Sequence, residues 1–297
     1  MRHASLLVAF FLATLLPTHV LSVSRFHERN HTGLLFLYTF DEGQRSPSIP
    51  TEVQDRSERY LMGNLTTSTT GAVTWSAYRQ GMTIPSISGG ARATSQLTSE
   101  NVLPLLSSEF SLEFFISSPT NPLSQDLLIA GFGDWPPGAP FARCDATNTV
   151  SEGGWRLSSG LGVAIDFEAV LLVSGVPTCV SITIGITSNS LRHIVVRARN
   201  GMLSIVSHGS STTSSSSPTY SPALWSRHVA PLTIANPHTT TGWTGTMYMV
   251  AMYDRYLSTT EIADNRVFGP PNSVPYGNVT ALTVEEDART TLFPADL

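Results

Sequence analysis

The sequence predicts an all-β protein, a sandwich of antiparallel strands, on three observations. Apolar and polar residues alternate with period 2 through much of the chain, as they do where successive side chains point to opposite faces of a sheet. Clusters of Gly, Pro, Ser and Asn separate these runs at spacings that suit short strands joined by turns. Only one segment carries a convincing helix start.

In chain order, Arg2 and His3 precede an apolar run over residues 4–16, then Pro17 and permissive residues around Leu21 and Ser22. This order reads as a signal peptide over 1–22, too short to cross a bilayer, which takes roughly 20 apolar residues. No later stretch is long and apolar enough to span a membrane by a helix, so no membrane insertion of the mature chain is expected. Removal of the leader leaves about 275 residues, a length that one large sandwich can fill. His27 and His31 are four apart but lie in a polar segment with no partner Glu motif, a weak pattern for a metal site.

Residues 34–40 and 246–253 are apolar at almost every position and read as central strands covered on both sides. In Phe110-Ser111-Leu112-Glu113-Phe114-Phe115-Ile116, alternation places Phe110, Leu112, Phe114 and Ile116 in the core and Ser111 and Glu113 in water. His193-Ile194-Val195-Val196-Arg197-Ala198-Arg199 runs through Asn200-Gly201 into Met202-Leu203-Ser204-Ile205-Val206, and Asn-Gly is the favoured pair for a tight hairpin turn. The tract 210–217 is Ser and Thr, too polar to pack, and reads as a flexible surface loop. Ser258-Thr259-Thr260-Glu261 supplies a capping hydroxyl and a carboxylate three residues later, with Leu257 and Ile262 placed to staple a short helix. Gly269-Pro270-Pro271 stops it. Residues 271–297 read as a linker and then, at 279–285, as the start of a further extracellular β-domain.

Composition removes whole function classes. Charged residues make up 13% of the chain, about half the ~25% of an ordinary globular protein, so the surface is neutral and rich in hydroxyls. All 17 cationic side chains are arginine. Without lysine, Schiff-base chemistry and the P-loop lysine are excluded. After loss of Arg2 with the leader, 16 arginines face 22 acids for a net charge of −6, which argues against nucleic acid as a partner. No serine-hydrolase elbow, dinucleotide fingerprint or C-x-x-C occurs. The two cysteines, Cys144 and Cys179, read as one disulfide in an oxidising compartment, with two buried thiols as the alternative. Such a bridge stabilises by roughly 3–4 kcal/mol in the chain-entropy model. Sequons at Asn30, Asn64 and Asn278 fit glycosylation in the same compartment.

Leu37-Tyr38-Thr39-Phe40-Asp41-Glu42-Gly43, followed by Val53-Gln54-Asp55-Arg56-Ser57, resembles the opening of laminin-G-like domains of the concanavalin A-like lectin/glucanase superfamily. Residues 110–116 are similar to the family's central strand, with Phe115 where Trp is commoner. Residues 242–262 are similar to its closing strand and capped turn. The opening and closing strands pair in that family, so the resemblance implies one jelly-roll domain over 31–270, two antiparallel sheets face to face, and Trp75 and Trp243 packed in the core. It implies a binding or adhesion module with a carbohydrate or extracellular protein ligand; the leader, cysteines and sequons make it secreted or cell-surface, Ala164 argues against catalysis, and 279–285 points to further domains in a longer polypeptide. The alternatives are a structural surface-coat domain and a glucanase. The middle, 134–180, departs from the family pattern and carries both cysteines.

The glucanase alternative rests on Ala164-Ile165-Asp166-Phe167-Glu168. Strand residues i, i+2 and i+4 share a face, which is how retaining glycanases bring a nucleophile and an acid about 5 Å apart. Asp166 and Glu168 match, but alanine stands in the nucleophile's place, and both carboxylates otherwise read as solvated. Calcium is the one cofactor that the resemblance suggests, at Asp41 and Asp55, and both also suit turn chemistry. For a sugar ligand, Trp135 in Gly133-Asp134-Trp135-Pro136-Pro137-Gly138 is the first candidate platform, with Trp155 and Arg156 second.

Overall fold

The computed structural model describes residues 31–42, 50–68, 73–75, 81–85, 91–106, 109–117, 127–132, 154–160, 164–173, 176–185, 191–199, 202–207, 210–214, 230–235 and 243–270. The fold below is that of the compact unit beginning at Thr32. Its strands are β1 (Leu34–Tyr38), β2 (Glu52–Val53), β3 (Leu65–Thr67), β4 (Thr74–Trp75), β5 (Met82–Ile84), β6 (Arg92–Thr98), β7 (Phe110–Ser117), β8 (Leu127–Phe132), β9 (Trp155–Gly160), β10 (Ala164–Val173), β11 (Val176–Gly185), β12 (Arg192–Arg199), β13 (Met202–Ser207), β14 (Ser210–Ser214), β15 (Pro231–Ala235) and β16 (Gly245–Tyr253). An α-helix, α1 (Thr259–Phe268), follows β16.

The strands form two antiparallel sheets. The first runs β14-β13-β12-β7-β16-β5-β4, and the second runs β11-β10-β9-β8-β15-β6-β3-β2. In the first, β16 pairs with β7 along one edge and with β5 and then β1 along the other. The apolar segments at the two ends of the domain therefore lie side by side, as the resemblance implies. Arg199 pairs with Met202 across the antiparallel ladder of β12 and β13, and the two residues between them in sequence are Asn200 and Gly201. Asp55 to Ser57 covers the outer edge of β1, where Arg56 N–H donates to Leu37 O at 2.7 Å and Tyr38 bridges to Asp55.

Alternation explains the core between the sheets. Phe36, Phe110, Leu112, Phe114, Val250 and Met252 from the first sheet meet Leu65, Phe132, Trp155, Leu157, Phe167 and Ile234 from the second. Aromatic edges lock the layers: Phe36 and Phe132 lie 6.4 Å apart at 71°, and Phe114 and Trp155 6.1 Å apart at 68°. Each such pair contributes roughly 0.5–1.5 kcal/mol beyond its buried area. Trp243 is fully buried and Trp75 packs half-buried against the same core.

The expected wet face of 110–116 is dry. Ser111 and Glu113 are 0% exposed, because the chain after β16 folds back across the outside of the first sheet and builds a second core of Phe115, Val195, Met249, Ala251, Tyr253, Leu257 and Ile262. The helix begins as predicted: Ser258 Oγ accepts from Glu261 N–H at 3.2 Å, and Glu261 Oε2 accepts from Ser258 N–H at 2.8 Å. Leu257 and Ile262 are both buried beside it. Gly269 ends it with φ +70°, a conformation glycine adopts without strain. The Ser/Thr tract also departs from expectation. Its first part is β14, which pairs with β13 over Ser210–Ser214, since backbone hydrogen bonds to an existing strand need no apolar side chains.

Candidate functional site

On β10 the apolar residues Ile165, Phe167 and Ala169 enter the core, so Ala164, Asp166 and Glu168 share the outward face. The register brings polar neighbours to both carboxylates. Glu168 lies between Arg156 on β9 and Ser181 on β11, and Asp166 between Ser158 and Thr183. Arg156 Nε and Nη2 both meet Glu168 Oε2, and Thr183 Oγ1 donates to Asp166 Oδ1. Gly131 on β8 faces Arg156, and a Cβ there would come within 2.6 Å of Trp155 O. A glycine is what lets β8 close on β9 at the arginine.

This places the predicted residues differently from the sequence reading. Asp166 and Glu168 are 9% and 6% exposed rather than solvated. Arg156 is 3% exposed and is spent on Glu168. Trp155 is 1% exposed, packed against Phe114, Phe132 and Phe167, so it offers no face to a sugar. A retaining glycosidase needs two carboxylates, one of them a nucleophile. Here Ala164 stands four residues before Glu168 on the shared face, and the Arg156–Glu168 and Thr183–Asp166 contacts tie three strands together. Trp135, Cys144, Asn30 and Asn278 lie outside the described residues. Cys179 sits on β11 opposite Val170.

Asp41 and Asp55 flank β1, each with its own hydrogen bonds. Asp55 Oδ1 accepts from Leu37 N–H at 3.1 Å and Ser57 N–H at 2.8 Å. Asp41 Oδ1 accepts from Thr39 Oγ1 at 2.8 Å and faces Arg56 Nη2 at 3.3 Å. The same guanidinium lies 3.5 Å from Glu42. Arg56 thus supplies a positive charge beside Asp41 and Glu42. Among the described residues no group of three or more His, Cys, Asp or Glu side chains is arranged to hold a metal ion. Burial pushes the Glu42 and Asp55 carboxyls above the usual carboxylate range, against the backbone N–H bonds that each accepts. Burial, with Asp55 adding, also pushes the Tyr38 hydroxyl upward.

A second polar cluster went unread in the sequence. Glu113 accepts from Tyr253 Oη at 3.0 Å and Asn265 Nδ2 at 3.1 Å, and lies 2.7 Å from His193 Nε2. His193 stacks on Phe115, ring centroids 4.3 Å apart. Beside it, Ser111 Oγ donates to Arg255 O and accepts from Leu257 N–H, both at 2.9 Å. Arg197 donates to Leu257 O and lies over the Tyr256 ring at 4.3 Å. Buried polar residues inside a strand pattern were the available signal, and only the folded-back chain shows what they face.

No protein-family model and no curated protein matches the sequence. Solved structures share the fold. The binding domain of botulinum neurotoxin DC, in complex with rat synaptotagmin II, is similar at TM-score 0.53 and 13% identity, over 83% of this chain and 53% of that one. The botulinum neurotoxin serotype C1 binding domain is similar at TM-score 0.52 and 12% identity, over 81% and 52%. Trypanosoma rangeli sialidase, in complex with 2,3-difluorosialic acid as a covalent intermediate, is similar at TM-score 0.51 and 15% identity, over 82% and 34%. The chain spans between a third and a little over half of these proteins' lengths. At such identities the likeness is one of fold, an all-β two-sheet sandwich.

Proposed function

We propose that this chain is a secreted, non-catalytic binding module of the laminin-G-like, concanavalin A-like class, taking a glycan or an extracellular protein as its ligand. The observation that carries the proposal is the outward face of β9, β10 and β11. A retaining glucanase strand would carry carboxylates at positions i and i+4, whereas here that face holds Ala164, a carboxylate bound by Arg156 and a carboxylate bonded to Thr183. What remains for the fold is presentation of a surface, and the sandwich shared with toxin binding domains supports that reading. The acidic, lysine-free composition fits a partner other than nucleic acid, and among the described residues no helix is long and apolar enough to cross a membrane. A glycan array combined with a hydrolysis assay on β-glucans tests the reading. Binding without turnover is the expected result. Turnover that disappears in Glu168→Gln would sink the non-catalytic claim.

A further inference from the structure

We propose that Asn64 carries an N-linked glycan that stands over the β2, β3 and β6 end of the second sheet's outer face. The inference rests on the extracellular reading above. The acceptor pattern alone does not single out Asn64, since three such triplets occur. Asn64 is the one of the three among the described residues, and its geometry fits an acceptor. Leu65 is 0% exposed in the core, so alternation turns Asn64 and Thr66 to the opposite, outward face, where Thr66 is exposed and Asn64 half-buried. Nδ2, the atom that takes the sugar, makes an exposed 3.4 Å hydrogen bond to Glu52 Oε2, and Oδ1 accepts from Asp55 N–H at 3.3 Å.

In the transfer, Nδ2 bonds to the anomeric carbon of a lipid-linked oligosaccharide. The bond from that carbon to the lipid pyrophosphate breaks, the pyrophosphate leaves with its electron pair, and one amide proton is lost. The product keeps one N–H on Nδ2 and the whole of Oδ1, so it can retain both of the bonds that Asn64 makes in the fold. The surroundings suit a sugar. Glu52 also accepts from Gln96 Nε2 at 3.3 Å on the same exposed face, and planar amide and carboxylate groups pair with hydroxyls. The position has a use as well. The second sheet ends at β2, only two residues long, and a glycan beside a sheet edge keeps other chains from pairing with it. It also shields this end, which sends the ligand of the module to another surface.

The test is glycopeptide mass spectrometry on the full chain secreted from a eukaryotic host, before and after peptide-N-glycosidase. The expected result is a glycan on the peptide containing Asn64, with conversion of that residue to Asp on enzymatic release. Thr66→Ala, which leaves Asn64 and its two hydrogen bonds in place, loses one glycan while secretion and melting temperature stay unchanged, and Asn64→Gln loses the same one. An unmodified Asn64 in a secreted chain that bears sugar at Asn30 or Asn278 overturns the inference and leaves the extracellular reading intact. A chain retained in the cytosol with all three asparagines bare overturns the extracellular reading, and this inference with it.

Discussion

Replacing Glu113 by alanine tests whether the outer face of the first sheet is held by one carboxylate. Glu113 is 0% exposed and its oxygens meet side chains from three elements: His193 on β12, Tyr253 on β16 and Asn265 on α1. Truncation removes the acceptor and leaves those buried groups facing a void. An orphaned buried donor costs about 1–3 kcal/mol, and more where the lost acceptor was a charged group. The groups share one cavity and their costs overlap, so about 3–5 kcal/mol is the expected loss, a large part of the 5–15 kcal/mol that holds an ordinary domain together. At roughly 2–4 °C per kcal/mol for a domain of this size, the melting temperature falls by roughly 6–20 °C. Urea denaturation followed by tryptophan fluorescence measures the free energy. Asn265→Ala separates the helix from the rest, because it removes only the contact from α1. It costs about 1–2 kcal/mol and should speed amide exchange across α1 while β7 stays protected. A loss below about 1 kcal/mol in Glu113→Ala, or unchanged exchange in α1 for Asn265→Ala, would refute the reasoning.

Gly131→Ala should destabilise by about 1–3 kcal/mol by overpacking, because its Cβ would meet Trp155 O at 2.6 Å in a paired strand with no flexible group to yield. Chemical denaturation reads the loss, and a neutral result would mean that β8 and β9 are further apart at Arg156. The Arg255 side chain, helped by the Ser258 bonds, holds the Glu261 carboxyl down at about 2 against an ordinary 4.5. The depressed value means that its contribution to the α1 cap is complete above about 4.5 and is lost as pH falls toward about 2. Protection of the α1 amides should fall over that window and become independent of pH there in Glu261→Gln. Glu42 and Asp55 have the opposite sign: with folded values above the unfolded ones, their contribution declines as pH rises from the ordinary carboxylate range through the raised values. Thiol labelling of the secreted protein under denaturing, non-reducing conditions should find Cys144 and Cys179 both unreactive, and reaction of both would remove the proposed disulfide.

Much of the fold was legible because its signals are local. Alternation in 110–116 identified a strand and its inward set Phe110, Leu112, Phe114 and Ile116, and Asn200-Gly201 located a hairpin through the backbone twist that such a turn requires. Ser258 and Glu261 specified a helix start because both halves of the capping box lie within one turn. The candidate site was only half legible. Asp166 and Glu168 could be placed on one face of a strand, and the missing nucleophile at Ala164 could be named. Neither Arg156 nor Thr183 could be assigned to them, since cross-strand register depends on pairings between segments that the sequence does not align.

By itself, then, the sequence determined the class of fold, the pairing of first and last strands through the family resemblance, the helix cap and the exclusion of lysine chemistry. The tertiary structure alone decided which polar residues are wet. Glu113 and Ser111 look like the solvent side of a half-buried strand until the chain after β16 covers them, and Trp155 looks like a platform until Phe114, Phe132 and Phe167 enclose it. The period of a strand fixes which residues share a face. Whether that face meets water depends on what the rest of the chain lays over it.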